Sequence, residues 1–254
     1  VSTGDAWRLL REATQARVGL GRAGDALPTA EVLRLDAAHA LARDAVHAPL
    51  DIEDLTAALV EATGLDVVTV TSAAVDRAEY LQRPDLGRRL AEGTDLAARE
   101  PGDGEPGDGD RWDLVVVVGD GLSARAVTAH AAGLLSALLP RLEGWSVGPV
   151  VVATQARVAL GDDVGSRLGA ALVLMLIGER PGMSAPDSLG AYLTWGPRGG
   201  RADSERNCVS NIRPPHGLTY EQAAEVLAAL LTESRRRGLS GVELKDTGAA
   251  LPPG

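Results

Sequence analysis

The run Leu114–Val118, "LVVVV", constrains the fold more than any other stretch of the chain. Five consecutive apolar residues, four of them β-branched, do not alternate between core and water. A strand built from them must be covered on both faces, as strands are in a parallel sheet with helices on each side. Similar runs recur. "DVVTVTS", "GPVVVAT" and "ALVLMLIGE" read as strands, and "LGAYLTW" is a candidate for one more. Helical stretches separate them: "LSARAVTAHAAGLLSALLPRL" follows the valine run and "DDVGSRLGA" precedes "ALVLMLIGE". This alternation predicts an α/β fold over residues 64–254, with a mainly parallel, Rossmann-like sheet flanked by helices.

The first 63 residues read differently, as an N-terminal helical region. A helix over residues 5–18 is expected to be capped by Asp5. A second runs from Thr29, as N-cap, to about Val46, before Pro49. The third, "DIEDLTAALVEATG", is capped by Asp51, carries Leu55, Ala58, Leu59 and Ala62 as its apolar stripe, and stops at Gly64. The best-marked helix closes the chain: Thr219 and Gln222 form a capping box, Arg235–Arg237 fill the last turn and Gly238 follows. The Gly-, Pro- and Asp-rich stretch near residues 98–110 is expected to be a mobile acidic loop.

Phe is absent from the 254 residues, so the core must be aliphatic. A net charge of -10 argues against a general nucleic-acid binder, which needs a basic face to displace counterions. No apolar run has membrane-spanning length and no secretory signal is evident. These features predict a soluble cytoplasmic protein. The single cysteine, Cys208, rules out an intrachain disulfide and a zinc site built on several thiolates.

In α/β sheets, ligands bind beyond the carboxyl ends of strands, so the loops after strands carry the functional reading. In "VVVVGDGLSA", Gly119, Gly121 and Ala124 match the dinucleotide pattern G-x-G-x-x-A. Asp120, however, stands where a pyrophosphate would lie, and the next strand ends in Thr and Gln instead of the acid that holds a ribose. The alternative is a tight turn with Asp120 or Ser123 capping a helix. In "TQARVALGDDVG", Arg157 is a possible anion contact, and Asp162 or Asp163 caps the helix that follows. In "GERPG", Glu179 and Arg180 form either a binding loop or a solvated turn.

Cys208 lies in "SERNCVSNIRPPHG", a polar run. It has four open roles: nucleophile, metal ligand, pocket wall or packing residue. A nucleophile needs an activating base. His216 is near in sequence, but no third member is evident. His39, Arg43 and His47 recur every fourth residue along one helix face, which reads as a solvated or partner-facing stripe. No catalytic or metal constellation assembles.

Taken together, "LGRAGDALPTAEVLRLDAAHALARDAVHAPLD", "YLQRPDLGRRL", "VVGDGLSARAV", "RVALGDDVG", "GERPG" and "SERNCVSNIRPPHGLTYEQAA" resemble the small subunit of ethanolamine ammonia-lyase. The blocks cover nearly the whole chain in the same order. The resemblance implies a lyase that uses adenosylcobalamin to convert ethanolamine to acetaldehyde and ammonia. It implies a large subunit as partner in a hetero-oligomer, with ethanolamine bound mainly by that subunit and cobalamin between the two chains. It assigns cobalamin contacts to Val158, Glu179 and Cys208, the last as a pocket wall. The chain lacks D-x-H-x-x-G, so the implied cofactor keeps its own lower base and His216 is not expected at cobalt. The family's association with bacterial microcompartments leaves two cytoplasmic locations, free or enclosed. Two other readings are a dinucleotide-dependent oxidoreductase, resting on the glycine turn alone, and a non-catalytic scaffold protein.

Overall fold

The computed structural model describes residues 3–96 and 111–244. The acidic loop expected near 98–110 and most of the C-terminal tail lie outside them. Among the described residues, seven α-helices and six strands form an α/β fold. The strands are β1 (Val67–Thr71), β2 (Trp112–Gly119), β3 (Val147–Thr154), β4 (Ala170–Gly178), β5 (Leu189–Trp195) and β6 (Arg206–Ile212). Their order in the sheet is β1-β3-β2-β4-β5-β6.

The sheet is mixed, where a mainly parallel, Rossmann-like one was expected. The pairs β1–β3, β3–β2 and β2–β4 are parallel, whereas β4–β5 and β5–β6 are antiparallel. Connection length gives the reason. A parallel return needs a dozen or more residues, usually with a helix. Residues 179–188 and 196–205, which join the last three strands, are too short for one. β6 falls in the polar run around Cys208, where no strand was expected. It is an edge strand, and the pairing shifts register between Leu189 and Ala191, so its apolar residues do not alternate cleanly.

Each face of the sheet has its own core. Leu114, Val116 and Val118 of β2 and Leu172, Leu174 and Leu176 of β4 pack with α5 (Ala124–Leu138) and α7 (Tyr220–Arg237). The intervening Val115, Val117, Val173 and Met175 face the other way, toward the short α6 (Leu160–Arg167). Both faces of the valine run are therefore fully buried, as its composition required.

α3 (Ile52–Thr63) adds Leu55 and Leu59 to the α5 core. Asp51 caps it by accepting from the Asp54 amide, and Gly64 ends it in the left-handed region at φ +67. α7 has its capping box and its left-handed Gly238. Two residues expected as caps lie within their helices instead. α1 spans Thr3–Ala13, so Asp5 is inside it, and α2 spans Thr29–His47 with Pro28 at the N-cap. α2 buries only Ala38, Ala42 and Ala45. Trp7, Leu9, Leu10, Leu33 and Leu41 of these two helices are exposed.

Candidate functional site

The carboxyl ends of β2, β3 and β4 meet at a cleft of about 450 Å³, lined by Leu122, Val158, Ile177, Glu179 and Tyr192 among others. A second cleft of about 310 Å³ continues across β5 and β6 to Cys208. Arg157, Val158 and Tyr192 line both, which makes them two parts of one groove. Val158, Glu179 and Cys208, widely separated in the chain, thus share one surface. Val158 lies at the junction, between β3 and α6.

Glu179 follows β4 and is already engaged. Ser188 donates its hydroxyl to Oε2 and Ser210 to Oε1, and the Asn211 amide approaches Oε2 at 3.3 Å. A carboxylate offers about four lone-pair sites, so roughly one remains for a ligand donor. Cys208 is exposed on β6, directly opposite Tyr192 of β5. Its thiol is pushed above its ordinary pKa, first by desolvation and then by the Glu179 carboxylate, while a hydrogen bond with Tyr192 pulls the other way. An activated nucleophile would show the opposite shift. His216 is not within the groove; it lines a separate cleft with Gln15 and Arg213.

The "GDG" turn after β2 has a packing explanation. Gly121 is left-handed, at φ +55, and a Cβ there would come within 2.2 Å of the Gly178 carbonyl. A Cβ on Gly178 would lie 2.0 Å from the Ser123 carbonyl. The Leu122 amide donates to Gly178 O at 2.9 Å, and Ser123 caps α5. The glycines let this turn press against the end of β4. Asp120 is buried, accepts from the Ala156 amide at 2.9 Å and pairs with Arg77 at 3.2 Å. Burial pushes its carboxyl above the usual range, opposed by those two partners.

Asp162 does not cap α6. Its two oxygens accept from Arg206 at 2.7 and 2.8 Å, and both side chains are 2 % exposed. This buried pair ties α6, just beyond Val158, to the start of β6, two residues before Cys208. Asp163 accepts from the Leu90 amide instead.

Sequence reasoning missed Tyr80 and Tyr192. The chain has three tyrosines and no phenylalanine, and two of the three line this groove. That scarcity was the available signal. Tyr80 is fully buried, donates its hydroxyl to Ala156 O and lies beneath the guanidinium groups of Arg77 and Arg157, at 4.7 and 4.4 Å. Desolvation, partly offset by Arg157, pushes its phenol up to about 12. Exposed on α2, His39, Arg43 and His47 form the expected polar stripe.

Among the described residues, no three His, Cys, Asp or Glu side chains could jointly hold a metal. No helix among the described residues is long and apolar enough to cross a membrane. The fold and groove define an α/β protein with a cleft at its strand ends and two N-terminal helices that turn apolar side chains outward. Comparison with known proteins specifies which kind. The chain belongs to the ethanolamine ammonia-lyase light chain family, whose model matches residues 4–245. It is 52 % identical over 248 residues to the ethanolamine ammonia-lyase small subunit of Rhodococcus erythropolis, covering 97 % of this chain and 92 % of the relative. The small subunits of Azotobacter vinelandii and Xanthomonas campestris pv. campestris are 52 and 53 % identical. Those matches cover 96 and 95 % of this chain and 90 and 88 % of the relatives.

Proposed function

We propose that this chain is the small subunit of a two-chain ethanolamine ammonia-lyase and helps to hold adenosylcobalamin in the groove, against the large subunit. The observation that carries the reading is the meeting of Val158, Glu179 and Cys208 on one groove at the strand ends. The donor set suits the ligand. A corrin edge carries apolar methyl groups and amide side chains that donate and accept. Val158 and Tyr192 offer apolar contact, Glu179 has acceptor capacity and Arg157 has donors. Clefts of this size take one edge or face of so large a ligand, and a second chain would close over the rest. When bound, the cofactor supplies the radical chemistry by which ethanolamine becomes acetaldehyde and ammonia. This chain's share is binding and orientation: Glu179 accepts from a ligand amide, and Cys208 is a small wall that lets the macrocycle approach β6.

The N-terminal region, residues 1–63, faces the large subunit in this reading, with ethanolamine held mainly by that subunit. α3 shares the α5 core, so α1 and α2 are the parts free to engage a partner. Their exposed Trp7, Leu9, Leu33 and Leu41 supply the apolar area such an interface needs. The site of action is the cytoplasm, free or inside a microcompartment.

The test is spectroscopic titration of cyanocobalamin into the assembled two-chain complex. Val158→Trp should weaken binding at least tenfold, and Cys208→Trp likewise, by filling the groove. Cys208→Ser should retain both affinity and turnover. An unchanged dissociation constant for Val158→Trp in an intact complex would refute the assignment.

A further inference from the structure

Arg157 sits where the two clefts meet, and its guanidinium is underused. Of its five N–H donors, one terminal group reaches the Tyr80 carbonyl at the limiting distance of 3.5 Å. Nε is buried without a partner. Among the described residues it forms no ion pair. The other guanidiniums near the groove are accounted for differently. Arg206 is held by Asp162, and Arg77 donates to Asp120 and to the Val46 carbonyl. Arg88 and Arg180 are exposed at the rim.

The position of Arg157 is also fixed in advance. Its amide donates to Gly87 O at 2.7 Å and its guanidinium lies 4.4 Å over the Tyr80 ring. A Cβ on Gly87 would come within 2.9 Å of both Arg157 Cγ and the Tyr80 ring, so the 86–88 turn holds the arginine stem against the tyrosine. A planar donor fork held this way loses little entropy when it meets an acceptor. In a chain of net charge -10, leaving this cation unpaired at a cleft junction is a cost that a ligand oxygen would offset.

We propose that Arg157 is a ligand-contacting, specificity-determining residue whose guanidinium donates to an oxygen acceptor, carbonyl or phosphate, on the molecule bound in the groove. The inference rests on the groove being the cofactor site. Cobalamin offers both acceptors: amide carbonyls around the corrin and one phosphodiester in its nucleotide tail. A purely structural Arg157, serving only to cover Tyr80, would not discriminate between ligands that differ in these groups.

The experiment titrates the assembled complex with cyanocobalamin and, separately, with dicyanocobinamide, which lacks the phosphate-bearing tail. Arg157→Gln should raise the cyanocobalamin dissociation constant about ten- to a hundredfold, the scale of a lost hydrogen bond to a charged group. Assembly by gel filtration should be retained. A loss confined to cyanocobalamin assigns the phosphate. An equal loss with both ligands assigns a corrin carbonyl only where Arg157→Lys, which can still cover Tyr80, shows it too; if Arg157→Lys restores both affinities, Arg157 is structural and the proposal falls. If Arg157→Gln leaves both affinities unchanged while Val158→Trp weakens them, the inference falls and the cofactor site stands. If neither variant matters, the site falls and the inference with it. Should Arg157→Gln fail to assemble, Arg157→Lys carries the test. It keeps the charge but loses the fork, so a loss of at least severalfold is expected, and unchanged affinity overturns the proposal.

Discussion

Removing one member of the Arg206–Asp162 pair should be among the most damaging single changes available in this fold. Both side chains are 2 % exposed, and the guanidinium makes two charge-assisted bonds to the carboxylate. It also donates to Thr194 Oγ1 and to the Arg201 carbonyl, each at 3.0 Å. In Asp162→Ala those two neutral acceptors remain, but the nearest carboxylate is then Asp203, 3.6 Å from Nε and 85 % exposed. Breaking a buried pair in this way costs about 3–5 kcal/mol. With a urea slope of roughly 3 kcal/mol per molar, the unfolding midpoint should fall by about 1 M or more.

The two partners differ in what they can do when left alone. An arginine cannot shed its proton, whereas a buried carboxylate can take one up. Burial already pushes Asp162 above the usual carboxylate range despite Arg206. In Arg206→Met that upward push loses its main opposition, leaving only the more distant Arg201. A carboxyl whose folded pKa is raised binds more protons folded than unfolded, so its contribution is intact at low pH and is lost as pH rises through the folded value. Arg206→Met should therefore be less damaging at pH 5 than at pH 8. The double variant should cost less than the sum of the singles, because no unpaired charge is left buried. Urea unfolding followed by circular dichroism reads all of this. Single-variant costs below about 1 kcal/mol, or strictly additive costs in the double variant, would refute the reasoning.

Two other perturbations test how the strand ends are built. Gly178→Ala places a Cβ 2.0 Å from the Ser123 carbonyl and 2.6 Å from that of Asp120, neither of which can retreat without moving the β2–α5 turn. It should destabilise by about 1–3 kcal/mol or more, read as a lowered melting temperature, and an unchanged one would contradict the packing account of the glycines. His130 is buried on α5 beside the Tyr220 hydroxyl, 2.9 Å from Nδ1, and desolvation holds its pKa below the ordinary value despite Asp187. Its unfolded form takes up protons first, so folding stability should fall as pH drops below about 6.5, and His130→Gln should flatten that slope. An equally steep slope in the variant would place the titration elsewhere.

What the sequence disclosed follows from where the physics is local. "LVVVV" could only be a strand covered on both sides, and Thr219 with Gln222 could only start a helix, so both were legible without tertiary information. That Val158 and Glu179 lie on the groove was also within reach, since each follows an apolar strand and the strand-end rule selects both loops. Asp162 was misread as a cap because a carboxylate at a helix start has a cheap local explanation, while its real partner is 44 residues away. β6 was missed because its apolar positions, Val209 and Ile212, are three apart in a strand with an irregular partner, and period-two reading finds nothing there.

The same irregular end of the sheet explains why a groove exists at all. β2 connects to β3 through α5, and β3 crosses to β4 through α6, so each parallel step deposits a helix on one face. The two short antiparallel returns after β4 deposit none. α7 covers the α5 face of β5 and β6, but the other face receives only what α6 can reach, and α6 has eight residues. Met175, Tyr192 and Cys208 lie in register across β4, β5 and β6 on that side. Met175 is buried under α6, Tyr192 is half-buried and Cys208 is open. Burial thus declines strand by strand as the helical cover runs out. A polar edge strand beside an apolar sheet follows directly from this geometry. Cys208 sits in so polar a stretch because its strand forms the uncovered wall of the groove, where large apolar side chains would have lacked a core to enter.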